Sequence, residues 1–235
     1  MEKIVSENAT ITIIKEGYAY IDGDGWMRAN ASCTLVQTAE SVVIVDTLTP
    51  WDGPFILEKL AELNIDKDTV THVVSTHGHS DHNGNNNLFL SAKQHIVGYC
   101  VSNKDVYYAH PFELDEPLII DPFLKIIPTP GHTNEDVSLI VTLRDSGDQT
   151  TGDNNNFENT LAIAGDLFES AKDLLNPDVW TPNSSQPEIQ AKNRLKILKM
   201  AKTIIPGHGP YFTVQPEHVT AAEDLVKLYE KQNSG

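Results

Sequence analysis

Seven residues, Thr76-His77-Gly78-His79-Ser80-Asp81-His82, place three histidines and an aspartate directly after the apolar run Thr71 to Val74. Few folds can use such a segment. Nine histidines in 235 residues make this clustering hard to ascribe to accident. In extended backbone, residues two apart face the same side, so His77 and His79 can reach one metal ion while a turn at Ser80 redirects Asp81 and His82. Four ligands from one short loop crowd a single tetrahedral ion, and two ions are implied. The preceding run reads as a buried strand, so the fold must gather any further ligands at the edge where that strand ends.

Three later segments repeat the pattern of apolar strand, glycine and metal-capable side chain. Ile126-Ile127 lead to Gly131-His132, Leu161 to Ala164 lead to Gly165-Asp166, and Ile204-Ile205 lead to Gly207-His208. Glycine tolerates positive φ and close backbone approach, so each following side chain can turn inward at a strand end. All the ligands are then expected on one edge of the sheets.

The rest of the chain supplies the layers. β-branched runs at Thr10 to Ile14, Tyr18 to Ile21, Thr34 to Gln37 and Val42 to Val45 predict four strands, with a turn at Asp22-Gly23-Asp24-Gly25. Helical spacing predicts helices over Trp51 to Leu63, Ile189 to Ala201 and Glu217 to Tyr229. Further strands are expected at Phe123 to Ile127, Val137 to Leu143, Leu161 to Ala164 and Thr203 to Ile205, for about nine in all. The polar, Asn-rich stretch over 146–159 reads as a long mobile hairpin loop. Strands first, then mixed strands and helices, predict one layered α/β domain over 1–235.

Thirty-three acidic against 17 basic residues give a net charge of −16, which disfavours broad affinity for polyanions unless a bound metal reverses the field locally. No apolar run approaches a membrane span, no export signal opens the chain, and Cys33 and Cys100 form no thiolate motif. A soluble protein of a reducing compartment, with no membrane partner, is expected. Serine-hydrolase elbows, P-loops and dinucleotide fingerprints are absent from the sequence.

In this chain order the motifs resemble those of the metallo-β-lactamase superfamily over nearly the whole length. Asp46 in Val45-Asp46-Thr47 resembles its first motif, a structural carboxylate beneath the metal loop; the His77 to His82 block resembles the second, and His132, Asp166 and His208 the third to fifth. The resemblance implies an αββα sandwich with a dinuclear site at one edge. It implies that His77, His79 and His132 hold one zinc, that Asp81, His82 and His208 hold the other, and that Asp166 bridges them. Iron or manganese suit the same ligands. The segments Arg28-Ala29 to Val36, Thr76 to Asn85, Thr129 to His132, Asp136 to Ser138, Ala164 to Glu169 and Pro206 to Phe212 are similar to a branch of the superfamily whose implied role is endoribonucleolytic, in histone pre-mRNA 3′-end processing in cytosol and nucleus.

In that reading two zinc ions activate water and Asp81, besides ligating, orients it; RNA is the partner. The alternative is a hydrolase of a small anionic acyl compound, a thioester or lactone, since the same metals serve acyl transfer; a zinc-bearing scaffold without turnover ranks third. Monomer and homodimer are both open. Oxygen-reducing relatives carry Glu where His79 stands, and nucleases with an inserted domain need more than the 41 residues between Asp166 and His208. Lys192, Lys196 and Lys199, with Arg194 and Lys202 nearby, form either a phosphate-tracking stripe or an ordinary solvated face. Trp26, Tyr107, Tyr108 and Trp180 are placed in loops, where packing is preferred over base stacking. His72, His95, His110 and His218 lack metal spacing, with His110 the best outsider for a substrate contact.

Overall fold

Period-two alternation along the strands sorts the apolar residues into three layers. The computed structural model describes residues 1–144 and 157–233. Ten strands come first: β1 (Glu2–Val5), β2 (Thr10–Lys15), β3 (Tyr18–Ile21), β4 (Met27–Asn30), β5 (Cys33–Gln37), β6 (Val42–Val45), β7 (His72–Ser75), β8 (Gln94–Val97), β9 (Cys100–Asn103) and β10 (Val106–Tyr107). Eight of them build one sheet in the order β1-β2-β5-β6-β7-β8-β9-β10, while β3 and β4 pair as a separate hairpin. The second sheet runs in chain order through β11 (Leu118–Asp121), β12 (Leu124–Pro128), β13 (Val137–Thr142), β14 (Thr160–Gly165), β15 (Thr203–Pro206) and β16 (Phe212–Thr213). The helices are α1 (Gly53–Glu62), the single turn α2 (Ser80–Asn83), α3 (Pro187–Met200) and α4 (Pro216–Asn233).

Between the sheets, Val43 and Val45 of β6 meet Leu139 and Val141 of β13 and Leu161 and Ile163 of β14 in one buried cluster. The intervening residues point outward. Ile44 and Val73 pack with Ile56 and Leu60 of α1, and Ala162 and Ala164 pack with Ile197 and Leu198 of α3 and Ala222 of α4. This is the expected αββα sandwich.

Strand direction decides where the loops emerge. β6 and β7 are parallel, so the residues after both lie at one edge of the first sheet. In the second sheet β12 and β14 each run antiparallel to β13, and β15 runs parallel to β14. The loops following β12, β14 and β15 therefore leave from a common edge. At the end of β14, Gly165 has φ +52°, and a Cβ there would collide with Thr76 of the histidine loop. Gly207 lies so close to the Asp166 carboxylate that no side chain fits.

The described residues contain sixteen strands, not nine. The seven not expected, β1, β4, β8, β9, β10, β11 and β16, have four residues or fewer, and β10 and β16 have two. His95, expected before a strand, lies within β8. Residues 145–156, most of the expected Asn-rich hairpin loop, fall outside the described residues. No helix among the described residues is long and apolar enough to cross a membrane.

Arg194, expected beside the lysine stripe, is buried. Its guanidinium donates to both Asp173 carboxylate oxygens at 2.7 and 3.1 Å and to the Leu167 carbonyl at 2.8 Å, and it lies over the Phe168 and Trp180 rings. Trp180, expected in a loop, is thus a core residue with 1% exposure. Asp173 also accepts the Glu169 backbone N–H at 2.7 Å, so the pair clamps the segment following Asp166. Breaking a buried pair strands a charge. Asp173→Ala is expected to lower unfolding free energy by about 3–5 kcal/mol in a denaturant titration; a loss under about 1 kcal/mol would show that the clamp contributes little.

Candidate metal centre

All seven side chains singled out by the sequence come together at the common edge. His77 Nε2, His79 Nδ1, His132 Nε2 and an Asp166 oxygen form one cluster whose ligand atoms lie within 4.8 Å of one another; Asp81, His82 and His208 form a second. In the first, His79 Nδ1 is 2.9 Å from His77 Nε2 and 3.2 Å from His132 Nε2, while Asp166 Oδ2 lies 3.4 Å from His132 Nε2. In the second, Asp81 Oδ2 is 3.9 Å from both His82 Nε2 and His208 Nε2. Asp166 belongs to both: Oδ1 lies 3.2 Å from His82 Nε2 and Oδ2 lies 3.1 Å from His208 Nε2.

The chain turns the inward nitrogens into acceptors by occupying the outward ones. His82 Nδ1 is 2.9 Å from Asp46 Oδ2, His208 Nδ1 is 3.1 Å from the Asn30 carbonyl, and His77 Nδ1 is 3.2 Å from Thr76 Oγ1. A donor spent on the outer nitrogen leaves a lone pair on the inner one. Asp46 also accepts the Thr76 N–H at 2.8 Å and its hydroxyl at 3.0 Å, so one carboxylate pins both the start of the histidine loop and the His82 tautomer. Asp136 holds the backbone on either side of His132 but not the ring, whose Nδ1 has no hydrogen-bond partner among the described residues. It accepts the N–H groups of Gly131 and Thr133 and the Thr133 hydroxyl, and burial pushes its carboxyl up to about 6.

These donor sets fit divalent cations. Lone pairs converge where no proton can serve them all, and the buried His82 Nε2 and Asp166 Oδ1 have no hydrogen-bond partner among the described residues. Burial opposes charge on His82, yet Asp166 and Asp46 carry its pKa well above the ordinary imidazole value. Burial likewise opposes charge on His208, and Asp166 holds it up at about 9. His77, buried and beside His82, stays well below the ordinary value.

The centre opens on a cleft of about 290 Å³ lined by Ala19, Met27 and Ala29 from the β3–β4 hairpin on one side and Glu169 and Asn183 on another. Sequence reasoning gave Glu169 no role. Its carboxylate comes within 4.8 Å of ligand atoms of Asp166 and His208, and burial followed by the Asp166 charge pushes it up to about 7. The one available signal is that it closes the short turn begun at Gly165, where Phe168 N–H donates to the Gly165 carbonyl.

Other expected contacts fall elsewhere. His110 packs on Phe112 and Tyr99 and does not line the cleft. Lys192, Lys196 and Lys199 pair with Glu188, Asp115 and Glu223 at 2.6 to 2.8 Å, as a solvated face would. Removing the hydrogen bond behind a ligating histidine typically costs 10–100-fold in metal affinity. Asp46→Asn is accordingly expected to weaken binding at the His82 cluster by about that factor in a competitive chelator titration, and unchanged affinity would remove Asp46 from this role.

With the geometry in place, comparisons agree with it. A family model described as the metallo-beta-lactamase superfamily matches residues 27–208. A Xenopus laevis protein named metallo-beta-lactamase domain-containing protein 1 is 39% identical over 207 residues, covering 87% of this chain and 82% of the relative; a Homo sapiens protein of the same name is 32% identical over 237 residues, covering 88% and 83%. A Methanocaldococcus jannaschii protein named as a probable metallo-hydrolase is 28% identical over 207 residues, covering 88% and 90%. Among solved structures, an N-acyl homoserine lactone hydrolase with N-hexanoyl-L-homoserine at its catalytic metal centre aligns with TM-score 0.57 at 17% identity, over 88% of this chain and 94% of that one. A subclass B3 metallo-beta-lactamase of Bradyrhizobium japonicum aligns with TM-score 0.57 at 16% identity, over 95% and 93%. The chain belongs to the metallo-β-lactamase superfamily of metallo-hydrolases.

Proposed function

We propose that the chain is a two-zinc endoribonuclease that cleaves phosphodiester bonds in RNA, with histone pre-mRNA as substrate in cytosol and nucleus. His77, His79 and His132 would hold one ion, Asp81, His82 and His208 the other, and Asp166 would be shared between them. The observation that carries the reading is the pair of ligand clusters joined through Asp166 and open to a cleft. Zinc bound there lowers the pKa of water towards neutrality and polarises a substrate oxygen, chemistry suited to displacement at phosphorus. Two divalent cations outweigh the carboxylates of Asp81, Asp166 and Glu169, so the centre attracts an anion although the chain as a whole carries −16.

The protein's own groups supply orientation. Asp81 Oδ2 faces both His82 and His208, and its side chain keeps 19% exposure where Asp166 keeps 5%. It is the carboxylate placed to accept the proton of an attacking water at the mouth of the cleft. Gln190 donates to the carbonyls of Asp166 and Leu167 at 3.1 and 3.3 Å, holding the shared carboxylate's backbone against α3.

A second reading, hydrolysis of a small acyl compound, draws on the apolar wall of Ala19, Met27 and Ala29 and on the N-hexanoyl-L-homoserine product bound by a lactone hydrolase of the same fold. The two separate cleanly with purified zinc-loaded protein given single-stranded RNA and a panel of thioesters and lactones. RNA cleavage is expected, with kcat lowered about 10²–10⁴-fold in Asp81→Ala. Acyl turnover without RNA cleavage would overturn the proposal in favour of the second reading.

A further inference from the structure

Beside the metal cleft lies a second hollow, of about 430 Å³, continuous with it: Ala19, Met27, Glu169, Asn183 and His208 line both. Only this hollow is lined by Tyr18 and Tyr20 of β3, whose ring centroids are 5.7 Å apart, and by Glu16 and Lys172. Both tyrosines are exposed residues, at 39% and 55%. Apolar rings left in contact with water beside a reactive centre gain by stacking on a flat partner.

The charges say what that partner carries. Glu16 and Glu169 against Lys172 leave the hollow net negative once His208 serves as a neutral ligand, so it disfavours a second phosphate and suits an uncharged group rich in donors. Glu169 is 9% exposed, and its carboxylate accepts one long hydrogen bond, 3.4 Å from Asn183 Nδ2. A carboxylate offers about four acceptor sites. One oxygen lies toward Asp166 and His208, and the side chain lines this hollow as well as the metal cleft, which leaves acceptor sites for a base placed in the hollow.

We infer that this hollow is a nucleobase subsite for the nucleotide next to the scissile phosphate, selective for guanine, with Glu169 as its specificity residue and Tyr18 and Tyr20 as its stacking platform. The inference rests on the RNA reading above. Guanine presents two adjacent donors, N1–H and the N2 amino group, on one edge, which a carboxylate accepts in parallel. Adenine and cytosine set an amino group beside a ring acceptor. Uracil sets its single N–H between two carbonyl oxygens that a carboxylate repels.

The test is titration of the zinc-loaded full chain with 5′-GMP, AMP, CMP and UMP, whose shared phosphate leaves the base as the variable, with cleavage of RNA oligonucleotides followed in parallel. GMP is expected to bind about 10–100-fold more tightly than UMP. Glu169→Gln should erase that preference while the bound zinc stays at the wild-type level, and Tyr20→Ala should weaken all four by about tenfold. Equal wild-type affinities, a preference that survives Glu169→Gln, loss of zinc in that variant, or an unaffected Tyr20→Ala protein would each overturn the inference. None of these touches the RNA reading, which fails instead if no oligonucleotide is cleaved.

Discussion

The structure is organised around one buried carboxylate that faces two groups of ring nitrogens at once. Asp166 lies within 3.1 to 3.4 Å of His82, His132 and His208, in a place nearly closed to solvent. Without cations such an arrangement is costly, because buried acceptors need donors and converging lone pairs repel. The fold maintains it by force of packing: three strands of one sheet pointing the same way, Gly207 leaving no Cβ in the path of the carboxylate, and the Arg194–Asp173 pair fixing the segment that follows. Around this, the backs of His82, His208 and His77 are tied to Asp46, Asn30 and Thr76, so the fold fixes the ring orientations.

Sequence made the metal centre legible because each ligand is announced by something local. His77 to His82 is a dense block, and His132, Asp166 and His208 each follow an apolar strand and a glycine. The layers are legible where an apolar or β-branched run marks a buried strand, as in β2, β13 and β14. What escaped depends on tertiary placement. Arg194 reads as one of several cations on α3, yet its burial follows from Asp173, Phe168 and Trp180 meeting it from another segment. Glu169 has no role legible in the sequence, because only the turn after Gly165 brings it to the cleft. Nothing in the Met27–Asn30 run says that it pairs with Tyr18–Ile21 to wall the cleft.

The site divides into the ligand clusters and the walls around them. Two ligand clusters sharing a carboxylate serve displacement at phosphorus and at acyl carbon alike, so they specify a reaction class and no more. Selectivity has to come from the hairpin face and the Glu169–Asn183 side, where apolar, aromatic and acidic groups replace the lysines and arginines that a general polyanion binder would display. An acidic chain can thus draw one anionic group to its metals while discouraging non-specific adhesion of nucleic acid elsewhere.

The most direct test of this account is elemental analysis of the chain after saturation with zinc and removal of the excess. Two equivalents per chain are predicted for the wild type and fewer than one for Asp166→Ala, because both positions depend on the shared carboxylate. A wild type that retains a single equivalent, or an Asp166→Ala protein that retains two, would contradict it.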